Sequence, residues 1–474
     1  MYTFRYDSPE ALGIPSAALL AFLARLEEID HVHGLVLARH GKIAIEGMRR
    51  PFDYDVPHQL FSVSKSFTSA AIGMARREGL LKLTDRLVDF FPEYAKTVHP
   101  LMAKTRLCDL LSMQSGFGAC TARRMFVSPD GDWVKCYLSL VPDGEPGTFF
   151  TYNSGATYML GAVLHRLTGQ TLREYLTPRL FEPLEIVPGI WECCPRGLNC
   201  AGWGLYLKLR DLAKFAQLLR DGGIYDGKEL IPADYLAEAT KVHADNSMNQ
   251  KPDWKLGYCW QFWKSTYGYR CDGAAGQYAV VLPEFDLTLT TLSATPNMQR
   301  ILTALWETVI PQLSPAPLPE DRAAQNELRQ TLDRLAMPVA AGDEAPRRWR
   351  KRFEFAANDY GIVSCAVDAE AEECSLTFTL ENGATEQLRA GFGKFAYSVL
   401  KLTDRSAHPT AASAAWKEGK LVIESFILDG IFRSTYTADP TPGVAEPLTR
   451  KDTCSTFRHP WTPLFQTPVP NAGR

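Results

Sequence analysis

The chain has 474 residues, with 51 Lys and Arg against 54 Asp and Glu, which gives a formal net charge of −3. Hydrophobic residues make up 46% of it and charged residues 22%, as in ordinary globular proteins, and this length is enough for two or three domains. The nearly balanced charge argues against nucleic acid or an anionic membrane as the main partner. No run of about 20 apolar residues occurs, so we expect no membrane-spanning helix.

The N-terminal segment carries Arg5, Asp7 and Glu10 and has no apolar stretch of the kind that a secretory signal requires. None of the eleven cysteines shows zinc-ligand spacing: Cys193 and Cys194 are adjacent, and the next cysteine does not complete a Cys-x-x-Cys pair. We therefore expect buried, reduced thiols in a cytoplasmic protein.

The first half of the chain reads as helices around one early hairpin. Apolar residues at helical spacing predict an amphipathic helix over 15–28, and alternation around His40-Gly41 predicts a hairpin of strands 33–39 and 42–48. Short helical pieces end at Pro92 and at Gly116. Longer helices are predicted over 65–77, 154–167 and 209–220.

Strand-like patterns return from Trp254 onward. We predict strands over 256–263 and 267–273, a strand pair over 277–294 around a Pro-Glu turn, and a helix over 298–313. Strands at both ends with helices between them indicate an α/β (α+β) layer in which the N-terminal and C-terminal strands share one sheet, with a helical insertion.

A Pro-rich stretch from Pro311 indicates a linker, and beyond it the pattern changes to short strands with Gly, Asn and Asp turns. These strands are predicted over 351–358, 361–369, 374–383, 385–393, 420–428 and 432–440, with an irregular tail from Lys451. We therefore predict a first domain over 1–312, a linker over 313–345 and an all-β domain over 346–474.

The segment Ser62-Val63-Ser64-Lys65 places a hydroxyl and an amine three residues apart at the start of a predicted helix. That spacing is one helical turn, so the two side chains share a face. A helix N-terminus disfavours an ammonium ion and supports negative charge, which helps a neutral Lys65 to accept a proton from Ser62. The tetrapeptide alone is a weak signal, because chance produces it often in long chains.

The context of this tetrapeptide resembles the nucleophile segment of the serine β-lactamase/penicillin-binding-protein superfamily, and in particular its class C β-lactamase and esterase branch. Four further pieces agree with that branch in order and distance. They are 105–116 around Leu110-Leu111-Ser112, Pro146-Gly147-Thr148 with Tyr152-Asn153-Ser154, Trp203-Gly204-Leu205 before Arg210-Asp211-Leu212, and 273–278 before Pro283-Glu284. The resemblance covers roughly residues 10–312 and implies a β-lactamase/transpeptidase-like antiparallel sheet flanked by helices with a helical subdomain.

The resemblance implies a role for each matching residue. Ser62 attacks a carbonyl and forms an acyl-enzyme, and either neutral Lys65 or an anionic Tyr152 is the base. Ser154, where the family usually has Asn, hydrogen-bonds the substrate or Lys65. The backbone N–H groups of Ser62 and Ala274 form the oxyanion hole, each donor worth about 3 kcal/mol. No metal or cofactor is implied.

The third motif departs from the family, because Cys271-Asp272-Gly273 stands where Lys/His-Thr-Gly is expected. The cation that would pair with a β-lactam or peptide carboxylate is therefore missing, and Asp272 further disfavours an anionic substrate. With Ser154, Asp272 and Gly273 are the candidate substrate-binding residues. We expect Cys271 to be a buried strand cysteine rather than a reactive thiol, and Asp272 is equally explained as a turn residue.

These features lead us to expect a cytoplasmic serine hydrolase of a small ester or amide, similar to the esterases and 6-aminohexanoate-dimer hydrolases of the superfamily. One alternative is a penicillin-binding protein with β-lactamase or D-Ala-D-Ala carboxypeptidase activity. A second is a catalytically silent binding protein of the same fold. Ser154 has an alternative role as a helix cap. The histidines His58, His99 and His165 lie in no motif, and no Gly-x-Ser-x-Gly elbow occurs.

Overall fold

The computed structural model describes residues 4–356, 361–401, 406–442 and 448–453. Contacts divide the chain into two units. The first holds the chain up to Met48 together with Pro57–Arg334, and the second holds Arg49–Val56 together with the chain from Leu335 on. The chain therefore contributes a short early segment to the second unit before it completes the first.

The first unit is built on a seven-stranded sheet with two small strand pairs beside it. Its strands are β1 Arg5–Tyr6, β2 Val32–Arg39, β3 Lys42–Met48, β4 His58–Gln59, β5 Tyr206–Leu207, β6 Ile224–Tyr225, β7 Lys228–Glu229, β8 Trp263–Lys264, β9 Tyr269–Gly273, β10 Gln277–Leu282 and β11 Leu287–Ser293. The large sheet has the order β1-β3-β2-β11-β10-β9-β8. Every neighbouring pair in it is antiparallel except β1 with β3.

The pairing of β2 with β11 joins the early and late strands in one sheet, as predicted. The β2–β3 hairpin and the β10–β11 pair around Pro283 are also confirmed. The predicted strand over 256–263 is wrong, because only its last residue, Trp263, enters β8. Gly257 and Gln261 hold positive φ angles of 111° and 66°, which interrupt an extended strand.

The helices of the described residues are α1 Ser16–Glu27, α2 Ser64–Arg77, α3 Leu107–Leu111, α4 Ala122–Phe126, α5 Trp133–Ser139, α6 Ser154–Thr168, α7 Leu172–Leu176, α8 Leu209–Arg220, α9 Ala233–Ala239, α10 Met298–Thr308 and α11 Arg322–Asp333. The long predicted helices are confirmed to within two residues at each end, except that α10 ends earlier and is followed by a 3-10 turn, Ile310–Gln312. None of these helices is long and apolar enough to cross a membrane.

Two helix layers cover the sheet of the first unit. Apolar residues of α1 and α10 pack on β2, β10 and β11 in one core, where Phe22, Val280 and Ile301 are fully buried. Helix α8 packs on β2, β10 and β11 as well, and α2 packs against α6, α7 and α9. All residues of α2 from Ser64 to Ala75 are buried, because its small side chains let neighbouring helices approach closely.

The predicted linker over 313–345 is corrected by the structure. Helix α11 lies in its middle, packs against α1, and buries Leu328 in the core of the first unit. The boundary between the units falls between Arg334 and Leu335. The Pro-rich composition of 311–318 obscured an amphipathic helix that begins after Asp321, whose side chain caps it by accepting from the N–H of Ala324 at 3.0 Å.

The second unit is a single antiparallel-rich sheet. Its strands are β12 Trp349–Glu354, β13 Ile362–Ala369, β14 Glu373–Leu380, β15 Thr385–Phe392, β16 Ala396–Leu400, β17 His408–Lys417, β18 Lys420–Ile427, β19 Arg433–Ala438 and β20 Leu448–Thr453. They follow the order β12-β13-β14-β15-β17-β18-β19-β20, and β16 pairs with part of β17. Their inward side chains, including fully buried Trp416, form one core.

The sequence missed β16, β17 and β20. Strand β17 carries Ala411, Ala412, Ala414 and Ala415, and alanine is depleted in strands, so the pattern gave no strand signal. Its burial against β15, β16 and β18 outweighs that preference. Part of the predicted irregular tail, Lys451–Thr453, belongs to β20, and the rest of the tail lies outside the described residues.

The ten cysteines of the described chain are free thiols, and Cys454 lies outside it. Six of them are buried as expected, including Cys271. Cys108 and Cys136 are half-buried, and Cys120 and Cys193 are exposed, so the expectation of uniform burial is wrong for these four.

Helix α2 tolerates no side chain at its middle glycine. A Cβ on Gly73 would lie 2.4 Å from Cδ1 of Tyr235, whose buried hydroxyl is fixed by a 2.9 Å hydrogen bond to Ser69. We predict that Gly73→Ala lowers the free energy of unfolding by about 1–3 kcal/mol through overpacking, although alanine is the better helix former by about 1 kcal/mol.

Thermal or urea unfolding measures this effect, with Gly118→Ala as the matched control. A Cβ on Gly118 meets its nearest neighbour, Asp143, only at 3.5 Å. The control should change stability by less than about 0.5 kcal/mol. Equal stability of Gly73→Ala and wild type would contradict the packing of α2 against α9.

Candidate active site

The turn before α2 presents Ser62. A 3-10 turn, Phe61–Val63, runs directly into α2. Phe61 holds a φ of 48°, a left-handed conformation that non-glycine residues seldom adopt and that is often found at functional sites. No sequence pattern predicted this backbone strain at Phe61. The left-handed φ of Phe61 makes the chain change direction sharply just before Ser62. Ser62 therefore lies at the start of a helical segment, where backbone N–H groups lack intrahelical acceptors.

Lys65 reaches three oxygen atoms from the first turn of α2. Its Nζ lies 2.9 Å from Ser62 Oγ, 3.0 Å from Ser154 Oγ and 2.6 Å from the carbonyl oxygen of Gly202. The residue is 1% exposed. The structure therefore brings together three predicted site residues and adds Gly202, which the sequence analysis did not identify.

Burial lowers the pKa of Lys65 to about 7, because the ammonium form loses its hydration. The neighbouring acidic groups Cys120 and Asp272 act in the opposite direction. A charged Lys65 has three N–H bonds and three acceptors, whereas a neutral Lys65 has two N–H bonds and one lone pair. Because the Gly202 carbonyl can only accept, the lone pair of the neutral amine is available to a hydroxyl of Ser62 or Ser154.

Tyr152 lies beside Lys65 on one flank of the site. Its ring centroid is 4.8 Å from Lys65 Nζ. Burial raises the pKa of Tyr152 above its usual range, and a hydrogen bond with Ser62 opposes that rise. The phenol is therefore neutral near pH 7. Together with four further aromatic side chains it forms a surface that we call the aromatic wall: Phe150, Tyr152, Trp254, Tyr258 and Trp263.

Asn153 caps helix α6, whereas the neighbouring Ser154 contacts Lys65. The side chain of Asn153 caps α6 by accepting from the N–H of Gly155 at 3.0 Å, and it also accepts from Thr121. The alternative that Ser154 caps this helix is therefore wrong, because its hydroxyl lies on Lys65 instead. The N–H of Ser154 donates to Sγ of exposed Cys120 at 3.3 Å. Cys120 is thus a second neighbour of the site that the sequence analysis missed.

The end of β9 approaches the Ser62 turn closely. A Cβ on Gly273 would lie 2.3 Å from the carbonyl oxygen of Leu60, so only glycine permits this approach. Ala274 is the first residue of the 3-10 turn Ala274–Gly276. Its N–H and that of Ser62 therefore both belong to first turns of helices, which lack intrahelical acceptors.

The third motif carries an ion pair instead of a free cation. Cys271 is fully buried, and burial raises the pKa of its thiol to about 12. Arg270 Nε donates to Asp272 Oδ2 at 2.8 Å, and Arg270 is fully buried. Burial raises the pKa of Asp272 to about 6, while Arg270 acts to lower it. Asp272 is thus a strand residue whose charge a buried guanidinium supports, and its role as a turn residue is excluded.

The histidines take part in other contacts. His58 Nε2 lies 3.2 Å from Nδ1 of His33, and His165 Nδ1 lies 3.1 Å from the carbonyl oxygen of Gln170. His99 accepts from the N–H of Leu101 at 3.3 Å. Within the described ranges, no group of three or more His, Cys, Asp or Glu side chains is arranged to hold a metal ion.

An antiparallel sheet between helix layers, with Ser62 and Lys65 at the start of a buried helix, defines the class of β-lactamase-fold serine hydrolases. The profile described as Beta-lactamase matches residues 22–309, and the chain belongs to this family.

Individual relatives agree with this assignment. The chain is 24% identical over 363 residues to penicillin-binding protein 4 of Amycolatopsis lactamdurans, across 67% of this chain and 90% of that protein. It is 26% identical over 227 residues to the 6-aminohexanoate-dimer hydrolase of Paenarthrobacter ureafaciens, across 44% of this chain and 56% of that enzyme. A Bacillus anthracis structure assigned as a 6-aminohexanoate-dimer hydrolase has a TM-score of 0.54 at 20% identity, across 65% of this chain and 86% of that one.

The lowered pKa of Lys65 predicts a pH-dependent contribution to stability. Between about 7 and the unfolded lysine pKa of about 10.4, the unfolded chain binds a proton at Lys65 that the folded chain does not. The free energy of unfolding of the wild type should therefore rise with pH across this window relative to Lys65→Met. Denaturant unfolding at several pH values measures the difference.

Lys104→Met removes a positive charge at an exposed site and serves as the matched control. A difference between wild type and Lys65→Met that stays constant from about pH 7 to about pH 10 would contradict a neutral Lys65.

Proposed function

We propose that the protein is a serine hydrolase that cleaves a small ester or amide through an acyl-enzyme on Ser62. The contact of Lys65 Nζ with Ser62 Oγ at 2.9 Å, with a lysine pKa of about 7, carries this proposal. A serine hydroxyl becomes a useful nucleophile only when a nearby base takes its proton. Lys65 is such a base near neutral pH.

The pKa directions favour Lys65 over Tyr152 as the base for acylation. Burial lowers the pKa of Lys65 and raises the pKa of Tyr152, so the amine is the group that is deprotonated near pH 7. Ser62 donates its proton to the Lys65 lone pair as Oγ attacks the carbonyl carbon. The resulting ammonium retains acceptors in Ser154 Oγ and the Gly202 carbonyl.

Tyr152 then serves as the acid. The neutral phenol lies beside Lys65 and interacts with Ser62, so it can give its proton to the leaving group and regain one from Lys65. The N–H groups of Ser62 and Ala274 stabilise the oxyanion during this step. In deacylation a water molecule takes the place of the leaving group and attacks the acyl carbonyl while neutral Lys65 takes its proton. Lys65 then returns this proton to Ser62 Oγ as the bond between Ser62 and the acyl group breaks.

A second candidate function is β-lactam or D-Ala-D-Ala peptide cleavage. The match to a penicillin-binding protein over 90% of its length favours it. Against it stand the absence of a lysine or histidine at position 271 and the carboxylate of Asp272. Both disfavour an anionic substrate, whose carboxylate would need a cation there. A catalytically silent binding protein is disfavoured by the contacts of Ser62, Lys65 and Tyr152.

A fluorophosphonate probe tests the nucleophile. We expect intact-protein mass spectrometry to find one adduct on the wild type and none on Ser62→Ala, because the probe reacts with activated serine hydroxyls. The wild type should also turn over p-nitrophenyl acetate and leave nitrocefin unchanged. Rapid nitrocefin hydrolysis would favour the β-lactamase function, and a folded wild type with neither adduct nor turnover would favour the silent binding protein.

Esters that differ in their leaving group test the proposed roles of Lys65 as the base and Tyr152 as the acid. We predict that Tyr152→Phe lowers kcat/KM for an alkyl acetate by about 100-fold or more, because an alkoxide needs a proton to leave. The loss for p-nitrophenyl acetate should be much smaller, because p-nitrophenolate leaves without one. Steady-state kinetics on both esters measure the effect, and equal losses would instead identify Tyr152 as the base.

A further inference from the structure

Strand β9 carries a fixed charged pair that the proposed reaction does not use. Arg270 donates through Nε to Asp272 Oδ2 at 2.8 Å. Its Nη1 donates to the carbonyl oxygens of Asp253 and Lys264, at 3.0 and 2.9 Å, and to Ser265 Oγ at 2.9 Å. These bonds immobilise the guanidinium, and the guanidinium in turn fixes the orientation of the Asp272 carboxylate.

One oxygen of this carboxylate remains open. Asp272 Oδ1 accepts no hydrogen bond from the residues that the structure describes, and it is not among the sealed polar atoms that lack a partner. The Asp272 side chain is 7% exposed, so this access is narrow. A carboxylate oxygen in a largely water-excluded position forms a strong bond with a cation that reaches it.

The aromatic wall next to this carboxylate also suits a cation. Trp263 lies 5.3 Å from Tyr152, ring centroid to centroid. Lys251 Nζ lies 5.3 Å from the ring centroid of Trp254, and Arg270 Cζ lies 4.6 Å from the same centroid. Cations are attracted to the faces of Trp and Tyr rings. The wall therefore already holds two cations of the protein itself.

The groups that face Asp272 keep it ionised near neutral pH. Burial raises its pKa to about 6, Arg270 and Lys251 act to lower it, and Asp253 acts to raise it. The charge of Asp272 in turn acts to raise the pKa of its neighbours Lys65, Tyr152, Tyr258, Cys271 and Tyr278. The tyrosines are neutral there, because burial raises the pKa of each.

The position of Asp272 points to the leaving group of the substrate. Gly273, the residue after Asp272, lies against the Leu60 carbonyl next to the Ser62 turn. The Arg270 guanidinium that pairs with Asp272 lies 5.8 Å from the ring centroid of Trp263, whose ring in turn lies 5.3 Å from that of Tyr152. Tyr152 is the proposed proton donor to the leaving group. A leaving group that reaches the Tyr152 hydroxyl therefore extends along the aromatic wall toward the end of β9.

We infer that Asp272, oriented by Arg270, binds a positively charged amine on the leaving group of the substrate. The preferred substrates are then esters or amides of amino alcohols or diamines. This inference rests on the proposed serine hydrolase function and adds a specificity-determining residue to it.

Three thioesters with one acyl group and three leaving-group charges test the inference: acetylthiocholine, its uncharged isostere 3,3-dimethylbutyl thioacetate, and the anionic S-acetyl-3-mercaptopropanesulfonate. The released thiol is measured in quenched aliquots, because exposed Cys120 would react with a thiol reagent in a continuous assay. At about pH 8, Coulomb attraction to Asp272 and the aromatic faces should raise kcat/KM for acetylthiocholine above that of the isostere by roughly 10- to 100-fold.

The ratio of these two values should fall as the pH is lowered through about 6, because Asp272 then gains a proton and loses its charge. The titration of Lys65 affects both thioesters alike and cancels from the ratio. Asp272→Asn should give, at about pH 8, the low ratio that the wild type shows at acid pH. Asp245→Asn, which removes an exposed carboxylate from the chain segment before Lys251, should keep the wild-type ratio.

Thermal unfolding shows whether Asp272→Asn is folded. If the variant does not fold, the pH dependence of the wild-type ratio alone tests the role of Asp272. Ser62-dependent hydrolysis with no preference for the cation would overturn this inference and leave the proposed function intact. A preference for the sulfonate that is lost in Lys251→Ala would overturn it in favour of anion binding by Lys251. No Ser62-dependent hydrolysis of any thioester would overturn the inference together with the proposed function.

Discussion

The removal of the Lys65 amine from water is the constraint on which the site depends. Helix α2 can bury this lysine because most of its residues from Ser64 to Ala75 are small and the neighbouring helices pack closely around it. A buried ammonium is costly, so the folded environment shifts the lysine toward its neutral form. The three oxygen atoms around Nζ provide hydrogen-bond partners for both the neutral amine and the ammonium form of Lys65. The 3-10 turn Phe61–Val63 thus supplies the nucleophile and α2 supplies its base, and the N–H of Ser62, at the start of that turn, has no intrahelical partner.

The second feature of the site is the ion pair of Arg270 and Asp272, which lies at the motif where the family usually has a lysine or histidine. A buried pair such as Arg270 and Asp272 contributes little to stability, and Arg270 Nη2 is sealed from solvent without a partner in the described chain. Binding of a cationic leaving group beside the aromatic wall would give this ion pair a functional role that its contribution to stability does not explain. Gly273 joins the two features, because it allows β9 to approach the Leu60 carbonyl and so brings Ala274 toward Ser62.

The sequence predicted the parts of the fold that depend on local patterns, such as α1, α8 and the β2–β3 hairpin. It failed where tertiary packing outweighs propensity, as in the alanine-rich strand β17, and where positive φ angles at Gly257 and Gln261 interrupt an apolar run. Helical spacing predicted that Ser62 and Lys65 would share a face, and the family resemblance implied that Ser154 would hydrogen-bond the substrate or Lys65. The Gly202 carbonyl, the strained Phe61 and the Cys120 thiol carry no sequence pattern, because a backbone oxygen, a φ angle and a long-range contact depend on the folded chain.

The central claim is that a neutral Lys65 activates Ser62, and the pre-steady-state acylation of Ser62 by p-nitrophenyl acetate tests it most directly. Rapid quenching followed by peptide mapping locates the acetyl group and gives its rate of formation. We predict acetyl on Ser62, with a rate of formation that rises about tenfold between about pH 6 and about pH 8 as Lys65 loses its proton. Acetyl on another residue, or a rate on Ser62 that does not change across this range, would show that a neutral Lys65 does not activate Ser62.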